Sequence, residues 1–366
     1  MSVDTLYDSD QQTTFLADLT NRQLRQQLDP QATIYSVLKS MVTLHGVDYF
    51  AERINYNGHN GILTYTSPVT TPSTTSITSP TSLPTPPTLR DHHLYGFNLD
   101  AEDPRMIVYR DKIYLIFNIR DPQNCGRIMC ISSYDDFHPI RLHVAQMIPN
   151  PIEKNWTPLV KNDQLYFIYT YDPLVVLHYD FNPAGLCDLV WKPVDLRMPF
   201  NTTPTYLRGG SCLVPYQGNG LETNRYYVGL CHSRVGIDKK NIGGYDYFYY
   251  QPFVVLLDTQ PWQVVQISKP LMLSLPPSVN VVKTVPTTKI IFEESPWMCA
   301  ITPNSLNHLA DNQYTMTVNV NEIVTLEFQL TINLIPKPAP VSWNQVAKSR
   351  SVELISRVAP EKHNFY

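Results

Sequence analysis

The feature that most constrains the fold is a β-hairpin pattern that returns along the chain at a nearly constant interval. Each copy has apolar residues, a polar turn, and then aromatic and apolar residues, as in 108–115, 159–167 and 213–230. These three copies start about 50 residues apart, and a further copy begins at Val318. An interval of this size between hairpins is typical of the blades of a β-propeller.

The rest of the sequence from residue 100 onward agrees with an all-β fold. Short runs of β-branched and aromatic residues alternate with Pro, Gly, Asn and Asp, which favour turns. The predicted strands are Met106–Tyr109, Ile113–Asn118, Ile128–Ser132, Leu165–Tyr171, Val175–Tyr179, Tyr226–Cys231, Phe248–Leu257, Lys289–Phe292, Tyr314–Val320 and Ile323–Leu330. We therefore predict a β-propeller domain over 91–340 and a C-terminal tail over 341–366.

The N-terminal part has a different pattern. Apolar residues recur at helical spacing from Phe15 to Leu28, and again from Ile34 to Leu44. We expect a small helical extension over 1–65, which leaves the first blade atypical. Residues 66–88 are Ser, Thr and Pro apart from Val69, Ile77 and Leu83. Such a tract buries little apolar surface, so we expect a linker or loop over 66–90.

The composition excludes several classes of function. Charged residues make up only 16% of the chain and the formal net charge is −4. No basic run contains interleaved aromatic residues, so no nucleic-acid partner is predicted. The sequence lacks an apolar stretch of about 18 residues, so no membrane span is predicted. The polar N-terminus does not resemble a secretory signal, and a cytoplasmic location is expected.

The six cysteines are scattered along the chain, several of them inside predicted strands. This distribution favours buried free thiols in a reducing compartment over disulfides. Clustered metal-ligand motifs such as CxxC and HExxH do not occur in the sequence. Neither a metal nor a cofactor is therefore expected.

Four polar motifs lie at the starts and ends of these hairpins, where the loops of a propeller face its central channel. In chain order they are Glu102-Asp103-Pro104-Arg105, Glu153-Lys154-Asn155-Trp156-Thr157-Pro158, Leu207-Arg208-Gly209-Gly210-Ser211 and Cys231-His232-Ser233-Arg234, with Tyr245 following. The ordered set resembles the β-mannoside phosphorylase and β-mannosyltransferase superfamily, related to glycoside hydrolase family 130. The resemblance implies a five-bladed β-propeller and an inverting glycosyl-transfer enzyme acting on β-mannosides.

The resemblance also implies a central role for Asp103, as the acid or base that exchanges a proton with a sugar oxygen. Its neighbour Glu102 is expected to point away from it, because side chains alternate along an extended chain. Gly209 and Gly210 are expected to allow positive φ and a close approach of the backbone to a ligand.

The other candidate site residues fall into two groups. The candidate cations for phosphate or a nucleotide diphosphate are Lys154, Arg208, His232 and Arg234. The candidate sugar contacts are Arg105, Asn155, Trp156, Asp172 and Tyr245. Trp156 fits a sugar-stacking platform and a buried core position equally well.

Two functions of different classes remain open from the residues alone. The first is sugar transfer, either from a nucleotide sugar onto an acceptor or from a mannoside onto inorganic phosphate, and the former is slightly favoured. The second is a non-catalytic carbohydrate-binding or scaffold propeller. A glycoside hydrolase is less favoured, because no second carboxylate stands out as a base that would activate water.

Overall fold

The computed structural model describes residues 2–6, 34–56, 59–68, 90–123, 126–146, 151–193, 207–217, 224–237, 247–271, 301–320 and 324–334, with a few isolated positions between them. Within these residues the regular structure is almost entirely strand, and the only helical segment is a single 3-10 turn at Phe97–Leu99. None of the helical structure described is long and apolar enough to cross a membrane.

The strands are numbered in chain order. They are β1 (Ser2–Leu6), β2 (Ile34–Leu44), β3 (Val47–Tyr56), β4 (His59–Pro68), β5 (Arg90–Tyr95), β6 (Glu102–Tyr109), β7 (Lys112–Arg120), β8 (Arg127–Ser133), β9 (Ile140–Arg141), β10 (His143–Val144), β11 (Thr157–Lys161) and β12 (Gln164–Tyr171). They continue with β13 (Leu174–Tyr179), β14 (Leu186–Trp191), β15 (Leu207–Gly209), β16 (Val214–Pro215), β17 (Tyr226–Ile237), β18 (Tyr247–Thr259), β19 (Trp262–Ile267), β20 (Thr284–Val285), β21 (Thr288–Lys289), β22 (Ile301–Ala310), β23 (Gln313–Val320) and β24 (Val324–Asn333).

All of these strands except β20 and β21, which pair only with each other, form five blades, each a sheet of at least four strands. Blade 1 is β2–β5, blade 2 is β6–β9, blade 3 is β11–β14 with β10 at its edge, and blade 4 is β15–β19. Blade 5 consists of β22–β24, and β1 pairs with β24 as its fourth strand. The N-terminal strand therefore completes the last blade and closes the ring, as propellers require. The predicted five-bladed β-propeller is confirmed.

The helical extension predicted over 1–65 is wrong for residues 34–56 and 59–65, which form β2, β3 and most of β4. A bulge shifts the register of β2 against β3 between Val37 and Ser40. The extra residue makes apolar positions recur at intervals of three and four, which imitates a helix. Blade 1 has four strands like its neighbours, and the propeller begins well before residue 91.

Several sequence-based boundaries fall outside the described residues. These are the helix predicted between Phe15 and Leu28, most of the Ser/Thr/Pro tract over 66–90, and the tail over 341–366. Cys130, Cys187 and Cys231 are buried free thiols, as predicted, whereas the free thiol Cys212 is half-buried.

The hydrophobic core lies between neighbouring blades. One cluster joins blades 1 and 2, a second joins blades 2 and 3, a third joins blades 3 and 4, and a fourth joins blades 4 and 5. Large aromatic side chains such as Phe117, Phe167, Phe253 and Phe328 are fully buried in these interfaces. Burial of this kind explains why the propeller strands are rich in aromatic residues.

The first strands of the blades meet around the axis. The backbone N–H of Met106 in β6 donates to the Ser40 hydroxyl in β2 over 3.1 Å. On the other side of β2, the Thr317 hydroxyl of blade 5 donates to the carbonyl of Lys39 over 2.7 Å. β6, which begins with Glu102, also contacts β11 of blade 3, so the residues at its start lie between blades 1 and 3.

Candidate functional site

Asp103 lies in a β-bulge at the beginning of β6. The register of β6 against β7 shifts between Glu102 and Arg105, and Asp103 has a φ of 56°. This left-handed conformation is uncommon for a residue with a side chain and is held by the surrounding structure. A bulge redirects the side chains of a strand, so Glu102 and Asp103 enter the same cluster of charges. The expectation that Glu102 points away from Asp103 is therefore wrong.

The Asp103 carboxylate is partly exposed, at 17%, and is surrounded by donors. Arg53 Nη1 lies 3.4 Å from its Oδ1, while Asn118 Nδ2 and Lys154 Nζ lie 3.4 Å and 3.8 Å from its Oδ2. Burial alone raises the pKa of this carboxyl, but Lys154, Arg53 and two further arginines outweigh burial and hold the pKa below its usual value. Asp103 is therefore ionised at neutral pH.

Glu102 is the most heavily bonded carboxylate in the cluster. Its Oε1 accepts from Arg127 Nη2 at 2.6 Å and from Asn60 Nδ2 at 2.9 Å, and lies 3.5 Å from Arg53 Nη2. Its Oε2 accepts from Lys154 Nζ at 2.8 Å. One buried carboxylate thus holds cations from blade 1, blade 2 and the segment that precedes β11 of blade 3.

A third carboxylate, Asp100, completes the cluster. Its Oδ2 accepts from Arg127 Nη2 and its Oδ1 from Asn60 Nδ2, both at 2.8 Å. Burial again acts to raise the pKa of Asp100, but the Asn60 hydrogen bond and Arg127 lower it overall. We call Arg53, Arg127, Lys154, Asp100, Glu102 and Asp103 the charge cluster.

Sequence reasoning missed five members of this network, namely Arg53, Asn60, Asp100, Asn118 and Arg127. Arg53 and Asn60 lie in blade 1, in the segment that was interpreted as helical. Arg127 starts β8 and reaches Asp100 and Glu102 across its own blade. No local motif marks these residues, and only recognition of blade 1 would have brought Arg53 near Asp103.

Arg105 spans the centre of the propeller. Its Nε donates to the Gly210 carbonyl, and its Nη2 donates to Asn155 Oδ1 at 2.9 Å and to the Gly209 carbonyl at 3.2 Å. Only 2% of Arg105 is exposed. Its guanidinium therefore connects blade 2 to the motifs that open blades 3 and 4, and most of its donors are used within the protein.

Gly209 and Gly210 serve a different purpose from the one expected. Neither has a positive φ. A Cβ at Gly209 would lie 2.1 Å from the Asn155 carbonyl oxygen, and one at Gly210 would lie 2.6 Å from Pro303 Cγ. The glycines therefore allow blade 4 to approach the backbone and ring of neighbouring blades.

Trp156 is a core residue. Its side chain is 2% exposed and packs against Phe167 and Tyr169. Its Nε1 donates to Glu153 Oε2 at 2.9 Å, and the Tyr169 hydroxyl donates to Glu153 Oε1 at 2.8 Å. Of the two interpretations left open by the sequence, the buried position agrees with this environment and the sugar platform does not.

We expect Trp156→Phe to reduce the free energy of unfolding by about 1–3 kcal/mol, because it removes a donor from the buried Glu153 carboxylate. The KM for a sugar substrate should stay unchanged, since the indole is packed in the core. Urea denaturation and steady-state kinetics measure the two quantities. Trp262→Phe is the control, because this half-buried indole packs beside Lys161 at 5.3 Å. A raised KM with normal stability would contradict the core assignment.

Sequence comparisons relate parts of this chain to β-mannosyltransferases. No protein-family model matches the chain. A 153-residue alignment with β-mannosyltransferase 3 of Candida albicans has 29% identity and covers 37% of this chain and 27% of that protein. A 106-residue alignment with β-mannosyltransferase 3 of Komagataella phaffii has 30% identity and covers 26% of this chain and 18% of that protein. The resemblance to β-mannosyltransferases is confirmed over these segments.

The solved structures support the fold. A glycosyl hydrolase from Bacteroides ovatus superposes with a TM-score of 0.50 at 12% identity, covering 84% of this chain and 88% of that protein. The sequence matches to the β-mannosyltransferases extend over little more than a quarter of those proteins' length at most.

The structure brings together part of the site that the superfamily resemblance indicated. Asp103 and Lys154 meet in the charge cluster, and Arg105 binds Asn155 beside it. Arg208 and His232 face each other as paired residues of β15 and β17. Asp172 lies in the β12–β13 turn, at the same end of the blade as the start of β11. The Arg234 side chain and the whole of Tyr245 lie outside the described residues.

The candidate cations differ in their surroundings. Lys154 is paired with Glu102, whereas His232 is buried beside the ring of Tyr250 at 5.3 Å between centroids. Within the described residues, no group of acidic, histidine or cysteine side chains is arranged to hold a metal ion.

Proposed function

We propose that the chain is an inverting mannosyltransferase, which moves a mannosyl group from an activated donor to a hydroxyl of a sugar acceptor. The observation that carries this proposal is the ionised Asp103 carboxylate among Arg53, Lys154 and Asn118 at the start of β6. Support also comes from the sequence likeness to the β-mannosyltransferases. In this reaction Asp103 accepts the proton of the incoming hydroxyl as the glycosidic bond forms.

The protonation state favours synthesis over breakdown of mannosides. Lys154 and Arg53 hold the pKa of Asp103 below its usual value, so they favour the carboxylate form, which accepts a proton, over the acid form, which donates one. Phosphorolysis and hydrolysis both need an acid that protonates the departing sugar oxygen. Transfer from an activated donor needs only a base, because the leaving phosphate already departs as an anion.

Hydrolysis is disfavoured by a second observation. Asp100 and Glu102 lie near Asp103, although neither stands out in the sequence as a base that would activate water. However, Asp100 is bonded to Arg127 and Asn60, and Glu102 to Arg127, Asn60 and Lys154. Their oxygens already accept strong hydrogen bonds, so neither carboxylate is suited to activate water.

The remaining candidate residues are assigned within this proposal. The diphosphate of a nucleotide sugar is bound on the side of blade 4 that carries Arg208 and His232, with Arg234 as a further cation. Sugar hydroxyls are bound by Asn155, Asp172 and Tyr245. The side-chain oxygen Oδ1 of Asn155 accepts a hydrogen bond from Arg105. The side-chain N–H groups of Asn155 are therefore the ones that can donate to a sugar.

The direct test is a comparison of two reactions under the same conditions. We expect the protein to release GDP from GDP-mannose in the presence of a mannose-containing acceptor and to form an elongated product, detected by mass spectrometry. Mannoside with inorganic phosphate should yield much less mannose 1-phosphate. Phosphorolysis as the faster reaction would contradict the transferase assignment. Sugar binding by calorimetry without turnover of either pair would favour the scaffold function.

A further inference from the structure

The charge cluster is balanced. In the part of the chain that the structure describes, it contains three carboxylates and three cations within salt-bridge distance of one another. Its deeper members are well buried, with the side chains of Glu102, Arg127 and Arg53 7%, 14% and 15% exposed. The more exposed members are Asp103, Asp100 and Lys154, at 17%, 26% and 27%. A fourth cation, Arg105, also acts on Asp103, but its donors bind the Gly209 and Gly210 carbonyls and Asn155. A ligand that reaches Asp103 therefore meets cations that are already paired with carboxylates or bound to other acceptors of the protein.

The donors held by Glu102 are those that an oxyanion of phosphate would use. Arg127 and Lys154 bind its two oxygens at 2.6 and 2.8 Å, with Asn60 at 2.9 Å. Arginine and lysine converging from separate elements are the usual partners of phosphate. Furthermore, the two cations nearest Asp103, Arg53 and Lys154, are both shared with Glu102.

We propose that Glu102 is a built-in anion that fills the cation cluster beside Asp103, keeps phosphate out of it, and so reserves this side of the site for an uncharged hydroxyl acceptor. The role given to the acceptor in this proposal rests on the transferase function proposed above. In an inverting transfer the incoming hydroxyl and the leaving group lie on opposite faces of the sugar. The base and the acceptor therefore need one side, and the donor phosphate needs the other. Glu102 is a positioning and specificity residue in this scheme.

The test is phosphate binding, which does not depend on turnover. Removing the Glu102 carboxylate in Glu102→Ala leaves three cations with two carboxylates and an opening where the carboxylate was. We expect phosphate, titrated against chloride at equal ionic strength, to bind this variant about tenfold more tightly than wild type or better. Isothermal titration calorimetry gives the dissociation constants directly, and thermal melting gives an independent measure.

Asp100→Asn is the matched control. It removes one charge from the same cluster and one partner of Arg127 and Asn60, but no described salt bridge joins Asp100 to Lys154 or Arg53. Its phosphate affinity should stay within about threefold of wild type. Equal phosphate affinities in wild type and Glu102→Ala would overturn the proposal. An equal gain in Asp100→Asn would also overturn it, since net charge alone would then explain the binding.

A second variant, Lys154→Ala, tests the proposal if Glu102→Ala does not fold. In the wild-type background, Lys154→Ala should leave phosphate affinity unchanged, because Glu102 already holds the ammonium group. A tenfold or greater loss would show that Lys154 binds phosphate with Glu102 in place, and would overturn the proposal. Since these measurements need no catalysis, an inactive protein that gives the expected binding results would refute the transferase function alone.

Discussion

Asp103→Asn should reduce the rate of mannosyl transfer by about 10²–10⁴-fold, while the protein stays folded. The amide keeps the shape of the side chain but cannot accept the proton of the acceptor hydroxyl. The loss corresponds to about 3–5 kcal/mol of activation free energy. It should appear in kcat, with little change in the KM for the donor. Steady-state kinetics with GDP-mannose and a mannose-containing acceptor measures both.

The controls follow from the structure. Glu102→Gln is unsuitable as a control, because Glu102 shares Lys154 and Arg53 with Asp103. Asp163→Asn is better matched. This exposed carboxylate is not part of the charge cluster, and its Oδ2 lies 2.9 Å from Arg110 Nε. It should leave transfer unchanged. Full activity in Asp103→Asn would show that another group is the base.

The same carboxylate affects how stability varies with pH. Its folded-state pKa is below the ordinary value of 3.8, so its ionic contacts stabilise the protein above about pH 4 and are lost as the pH falls further. The difference in free energy of unfolding between wild type and Asp103→Asn should therefore shrink below pH 4.

The ionisation of Asp103 should also cause no change in transfer rate between about pH 5 and pH 8.

Much of the fold followed from local sequence patterns. The hairpin interval predicted the blades because each blade repeats the same short strands and polar turns, and β6, β7, β12 and β13 begin and end within a few residues of the predicted strands. Blade 1 was not predicted because the bulge between Val37 and Ser40 changes the apolar spacing of β2. The pairing of β1 with β24 joins strands that are far apart in the sequence, and no local pattern contains that information.

The candidate site was likewise predicted only in part from the sequence. Asp103, Arg105, Lys154 and Asn155 are close in motifs that could be read from the sequence. Their actual partners depend on distant segments, as when Arg53 approaches Asp103 from 50 positions away. The orientation of Glu102 was mispredicted because side chains alternate only along a regular strand, and the bulge at Asp103 breaks that alternation.

Arg105 provides the second large expected effect, on stability. Arg105→Met should lower the free energy of unfolding by about 3 kcal/mol or more, because it leaves the Gly209 and Gly210 carbonyls and the Asn155 side-chain oxygen without their donor. The three acceptors belong to the motifs that open blades 3 and 4, so the loss should loosen the centre of the propeller. Chemical denaturation measures the change.

Arg105→Lys separates charge from geometry. A lysine keeps the positive charge but has no planar fork that can reach several acceptors at once, so its stability should lie between those of wild type and Arg105→Met. Arg110→Met is the surface control, because Arg110 pairs with Asp163 where both side chains are more than half exposed. It should change the free energy of unfolding by less than about 1 kcal/mol. If Arg105→Met were as stable as Arg110→Met, the central guanidinium would not hold the blades together, and its donors would instead be available to a ligand.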